Sequence, residues 1–396
     1  MRKAYIFILF GGLLVSCTSM ESQELIAIDS PASEGSAEPN LILGANGILY
    51  LTWVEQQEDL ALLNYSSWEG SQWSSPESIA KGRDWFVNWA DYPAMAVNKQ
   101  GDLIAHYLQM SDTGSYTYDI KVVGKKSTAT SWSTPIKLHR DSVKAEHGFV
   151  SMLPMDDGQF FLTWLDGRNT MPMEEHDGHG SGGAMTIRSA TLSPDLELSE
   201  EIELDSRVCD CCQTTAAITQ DGPVVFYRDR SEEEVRDIYK VRKVNDSWTA
   251  PEAIYDDHWV IEGCPVNGPK STVINDHLAV VWFTAAEGQG KVNFAFSNDS
   301  GAHFGNPTPL NQEDAIGRVD IEPIDSTTFF VSWMEGSAIK AAIVNSAGEV
   351  LKRYELATSS DGRNSGFPQI AVLENQVMIA WTDAEANRVK TKMLTP

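Results

Sequence analysis

One pattern recurs along the whole chain and restricts what it can fold into: a short strand, a tight turn, and a second strand ending beside an aromatic residue. The copies are Asn40–Val54, Tyr92–Leu108, Gly148–Asp166, Thr214–Asp229, Gly268–Thr284, Arg318–Glu335 and Phe367–Asp383. Their second strands end near Trp53, Tyr107, Trp164, Tyr227, Trp282, Trp333 and Trp381, a spacing of about 50 residues, as expected of propeller blades. Turns such as Ala45-Asn46-Gly47, Gln100-Gly101-Asp102 and Asp156-Asp157-Gly158 supply residues that tolerate hairpin backbones.

A third strand and a fourth follow each copy, the fourth introduced by Trp-x-x-Pro or a relative: Trp73–Pro76, Trp132–Pro135, Trp248–Pro251, Phe304–Pro307. Proline suits an edge strand, whose outward side needs no ladder donor. The seventh copy stops after its third strand, and Glu24–Ile28 can supply the missing fourth. The sequence thus predicts an all-β chain: a β-propeller of seven four-stranded blades closed by an N-terminal strand. A six-bladed ring and a two-sheet sandwich are the alternatives.

The N-terminus reads as an address. Met1-Arg2-Lys3 is basic, Ala4–Val15 is apolar but too short to span a bilayer, and Leu14-Val15-Ser16-Cys17 follows. That ending resembles a bacterial lipobox, which implies cleavage before Cys17 and lipidation of its thiol; an ordinary secretory signal is the other reading. The expected organisation is a signal peptide at 1–16, a lipidated Cys, tether and closing strand at 17–38, and the propeller at 39–396. The protein is then expected in the bacterial cell envelope, facing periplasm or surface, a monomer touching the membrane through its anchor only. With 30 Lys+Arg against 56 Asp+Glu the net charge is −26, which argues against nucleic acid, since phosphate binding needs surplus cations.

Strand order places the chemistry-bearing segments. Loops before the innermost strands and after the second strands open on one face around the axis. There the sequence carries Asp91-Tyr92-Pro93, Glu146-His147, Asp166-Gly167-Arg168, Cys209-Asp210-Cys211-Cys212, Arg228-Asp229-Arg230, Arg236 and Cys264-Pro265-Val266-Asn267. Clustered reactive groups at a concave mouth are the default expectation for a site. Arg168, Arg228, Asp229, Arg230, Arg236 and Asn267 are the candidate ligand-binding residues, and an anionic small molecule or glycan is the expected ligand.

Beyond Cys17, four cysteines remain: Cys209, Cys211, Cys212 and Cys264. An even count in an oxidising compartment suggests disulfides, with Cys264 joined to one member of the cluster. The alternative is a soft-metal site for Cu(I) or Zn(II), with His147 as a further ligand. The loop Met171–His179, with His176 and His179, reads as a mobile segment or a weak copper or nickel binder.

Ser297-Asn298-Asp299-Ser300-Gly301-Ala302-His303-Phe304 resembles the Asp box of the sialidase or BNR-repeat superfamily, with Phe304 in place of the usual Trp. The resemblance implies a propeller and, for an active member, an arginine clamp, a tyrosine polarised by glutamate, and an aspartic acid. Residues of suitable type are Arg168, Arg228, Arg230 and Arg318 for the clamp, Tyr227 or Tyr92 for the phenol, and Asp91 or Asp166 for the acid. The superfamily's early Arg-Ile-Pro motif is absent, its active members have six blades, and the thiols have no part in its mechanism. A binding propeller is therefore expected first, an exo-acting glycoside hydrolase second, and a metal-binding or redox propeller third.

Overall fold

The computed structural model describes residues 25–170 and 183–396; Cys17 and the loop Met171–His179 lie outside them. Seven antiparallel sheets succeed one another along the chain. Their innermost strands are Ser36–Leu43, Met95–Val97, His147–Pro154, Thr215–Thr219, Lys270–Ile274, Gly317–Asp325 and Gln369–Leu373. Each begins its blade, and the next two strands follow outward by hairpins. The ring closes as expected: Leu25–Ile28 pairs antiparallel with Arg388–Leu394, Leu25 opposite Leu394. Closure matters because an unpaired edge would leave a row of backbone groups free to recruit another chain. The seven-bladed expectation holds, and the six-bladed and sandwich alternatives do not.

The recurring aromatics explain why the blades stay together. Trp53, Trp164, Trp282 and Trp333 are almost wholly buried, each contributing roughly 4–6 kcal/mol of apolar burial before entropy is counted. Their indoles are not left polar and unpaired in three cases: Trp164 donates to Asp166 at 2.9 Å, Trp282 to Asp257 at 2.7 Å and Trp333 to Glu335 at 2.9 Å. The Asp box behaves as a turn device. Ser297 donates to Asp299 at 2.7 Å, and Asp299 accepts the His303 amide at 2.9 Å, while Phe304 packs edge-on against Phe226.

A ring of clasps links successive blades around the axis. Asn40 accepts the Met95 amide (3.3 Å), Asp91 the Phe149 amide (2.7 Å), Gln213 the Gly268 amide (2.9 Å), Asn267 the Arg318 amide (2.8 Å) and Asp320 the Ile370 amide (2.9 Å). Thr214 donates to the Phe149 carbonyl at 2.9 Å, and Asn40 meets Gln369 at 3.5 Å. Each blade is thereby tied to the next through buried groups that would be costly to leave unmade. The clasps dictate glycine where they land. A Cβ at Gly148 would collide with the Asp91 carboxylate, and one at Gly317, already at φ 87°, with Asn267.

Candidate functional site

The clasp ring surrounds a cavity of about 170 Å³ on the propeller axis, to which all seven innermost strands or their approaches contribute. Its wall mixes amides and hydroxyls (Asn40, Gln213, Thr215, Ser271, Gln369) with Tyr92, Lys270, Asp91 and Asp320. Tyr92 Oη lies 3.4 Å from the Gln369 amide. Carboxyls near the wall repel one another. Burial, then Asp91, raises Glu38 to about 8. Burial, then Asp320, raises Glu322 to about 8.

Asp91, a candidate catalytic acid from its sequence position, stands at this cavity. One oxygen takes the Phe149 amide; the other accepts from Tyr118 Oη at 3.2 Å. Tyr118 also lies 2.8 Å from Glu146. Burial raises Asp91 to about 7, and burial followed by Asp91, Asp210 and Cys264 raises Glu146 to about 8. Both carboxyls are therefore close to half-protonated or more at neutral pH. Tyr118 is fully buried beneath Phe86, the rings 4.2 Å apart, so it positions the two acids and cannot itself reach a ligand.

The other two catalytic candidates do not join this group. Asp166 is fully buried, accepts from Trp164, and is held by Arg168 through two bonds of 2.6 and 2.7 Å. Tyr227 is equally buried, its hydroxyl donating to Asp205 at 2.7 Å between blades three and four.

The expected arginine clamp is not assembled, because each guanidinium already has partners. Arg228 donates to the carbonyls of Asn267 (2.8 Å), Arg236 (2.6 Å) and Phe283 (2.7 Å) and lies over Trp259. Arg168 bridges Asp141, Asp166 and Glu201. Arg230 pairs with Asp210 and Glu234, and Arg236 with Glu234. Arg318 is held by the carbonyls of Asp361, Gly362 and Gly366 and packs over Trp89. Desolvation lowers Arg318 to about 10. Asp229 gives its amide to the Asp237 carbonyl, and burial beside Asp205 raises its carboxyl to about 7. Asn267 is a blade clasp. These groups hold the mouth in shape, and none of the four candidate ligand-binding arginines presents a guanidinium free of partners.

His147 corrects the expected Cys/His cluster. Its ring stacks on His139 at 3.6 Å, its Nδ1 meets the carbonyls of Tyr118 and Ala145, and its Nε2 faces Asp141 at 3.4 Å and Asp166 at 3.6 Å. It belongs to a His/Asp group with Arg168 between blades two and three. The neighbouring Glu146 faces Asp91 and Cys264 instead, and sequence reading gave it no role.

The cysteines do converge. Cys209 lies 3.5 Å from Cys212 and 3.8 Å from Cys211, sulfur to sulfur, and Cys264 of the next blade approaches on the Cys211 side. All four are free thiols. Arg236 donates to the Cys209 sulfur at 3.3 Å.

No protein-family model matches the sequence, and no curated protein matches it. Solved structures do. Polysaccharide lyase Uly1 shares 10% identity, with 96% of this chain and 94% of that one covered and a TM-score of 0.55. A Dyadobacter fermentans protein of unknown function shares 13% identity over 94% and 97%, with a TM-score of 0.52. The NanB sialidase from Streptococcus pneumoniae shares 9% over 94% of each chain, with a TM-score of 0.46. At such identities the likeness concerns fold rather than chemistry. In fold, the chain is a seven-bladed β-propeller.

Proposed function

We propose that the protein is a lipid-anchored envelope propeller that binds a glycan at the mouth of its axial cavity. The observation that carries this is the lining: amides, hydroxyls and one accessible tyrosine ring, the mixture that sugar hydroxyls and sugar faces engage. With the arginines already partnered, the favoured ligand is neutral rather than anionic. Calorimetric titration of the mature protein with a panel of neutral and acidic oligosaccharides tests it. Tyr92→Ala is expected to weaken any binding at least tenfold; absence of binding across the panel would overturn the reading.

Hydrolysis is the second reading, favoured by Glu146 and Asp91 sharing Tyr118. A half-buried carboxyl raised to about 8 is a proton donor at neutral pH, the property a glycosidic leaving group requires. A chromogenic glycoside panel decides it. Activity that Glu146→Gln abolishes supports hydrolysis; inactivity throughout leaves a binding propeller.

A further inference from the structure

The thiol group at the mouth has a second property that a carbohydrate site does not use. Three sulfurs from one four-residue loop, Cys209, Cys211 and Cys212, lie within 4.8 Å of one another, and two of their separations are 3.5 and 3.8 Å. A metal held by thiolates at about 2.3 Å in a tetrahedron sets its ligands about 3.8 Å apart, so the sulfurs already stand near the spacing of a coordination shell. The loop is fixed from both sides. The Cys209 amide donates to the Arg228 carbonyl at 3.0 Å, and Gln213, next after Cys212, clasps blade five. Cys264 arrives from blade five beside Cys211 and is solvent-exposed, which gives the group an open side.

Charge is also arranged for thiolates. Arg236 donates to the Cys209 sulfur and is itself only 3% exposed. Thiolate, not thiol, is the metal ligand.

We propose that Cys209, Cys211 and Cys212 hold one thiophilic d¹⁰ cation, Cu(I) or Zn(II), that the exposed Cys264 from blade five moves in as the fourth ligand, and that Arg236 is the positioning residue that orients and charge-balances Cys209. Binding releases the protons still held on the sulfurs and changes no oxidation state. The site adjoins the glycan cavity through Gln213 but uses different side chains, the thiols and Arg236, so their variants separate the two readings.

The mature full-length protein, reduced and handled anaerobically, is titrated separately with Cu(I) and Zn(II) against a chromophoric chelator, and with Co(II) to read thiolate-to-cobalt charge transfer. One equivalent per chain, with charge-transfer bands, is expected; the tighter of the two arms identifies the ion. Because Cys264 is exposed, Cys264→Ser is expected to weaken binding tenfold or more while leaving the melting temperature unchanged. Arg236→Gln is expected to weaken it about tenfold, within the range typical of groups that support metal ligands. Two outcomes overturn the site: four reagent-accessible thiols with no equivalent of any ion retained, or protein isolated without reductant in which the four cysteines are paired as disulfides and reduction restores no binding.

Discussion

Asp91 accepts the Phe149 amide at 2.7 Å, so a carboxyl of blade two fixes the irregular start of the inner strand in blade three, where the pairing register shifts between Gly148 and Ser151. Phe149 sits at φ 52°, a conformation that a phenylalanine adopts only under constraint. Removing the acceptor leaves this amide without its partner, while Tyr118 Oη keeps Glu146 at 2.8 Å. Asp91→Ala is expected to cost roughly 2–4 kcal/mol, read by urea unfolding, and Asp91→Asn markedly less, because an amide oxygen can still accept. Equal losses for the two variants would contradict the clasp.

Protonation of Glu38 links stability to pH. Its Oε2 is buried without a partner, and burial lifts the carboxyl from 4.5 to about 8. The folded state therefore holds this proton more tightly than the unfolded chain. Its stabilising effect is complete below about pH 4.5 and is lost as pH rises towards 8. The melting temperature is expected to fall between pH 5 and 8.5, and Glu38→Gln to make that fall smaller. An identical slope in the variant refutes the assignment.

Arg228 should behave as a structural residue. Its guanidinium serves three carbonyls in a site 1% exposed. Arg228→Met is expected to destabilise the fold by roughly 2–5 kcal/mol, since the carbonyls lose charged donors in a dry environment. A variant that melts like the parent yet fails to bind ligand would instead restore a clamp role.

The lipobox reading concerns Cys17. Cys17→Ser is expected to move the protein from the membrane fraction to the soluble one and to abolish incorporation of a labelled fatty acid. Retention of label in the variant rules out the anchor.

The blades were legible in the chain because hairpin residues and inward aromatics report on local geometry, and both recur at the blade period. The mouth was legible only as a set of positions. Arginine side chains could be placed on the right face, but Glu201 and Asp210, which engage Arg168 and Arg230, come from other segments that no local pattern announces, whereas Glu234 lies in the same loop as Arg230 and Arg236 and was a local signal. His147 was misassigned for a sharper reason. Adjacent residues of a strand point to opposite sides, so Glu146 and His147 cannot both face the thiols, and the register shift after Gly148 hides which one does. The alternation itself was the available signal. A second signal is a proline just before an axis-lining residue: in Glu38-Pro39-Asn40, Tyr92-Pro93-Ala94, Gly268-Pro269-Lys270 and Phe367-Pro368-Gln369 the residue after proline approaches the axis.

The closing pair also sets an orientation. Leu25 lies opposite Leu394, and Leu394 opposite Val377, whereas Arg388 lies opposite Asp383 at the rim that carries the mouth. Residue 25 thus starts at the far rim, on the perimeter of the seventh blade. Under the lipid-anchor proposal, the strand that leads back towards Cys17 leaves the ring on the rim opposite the mouth.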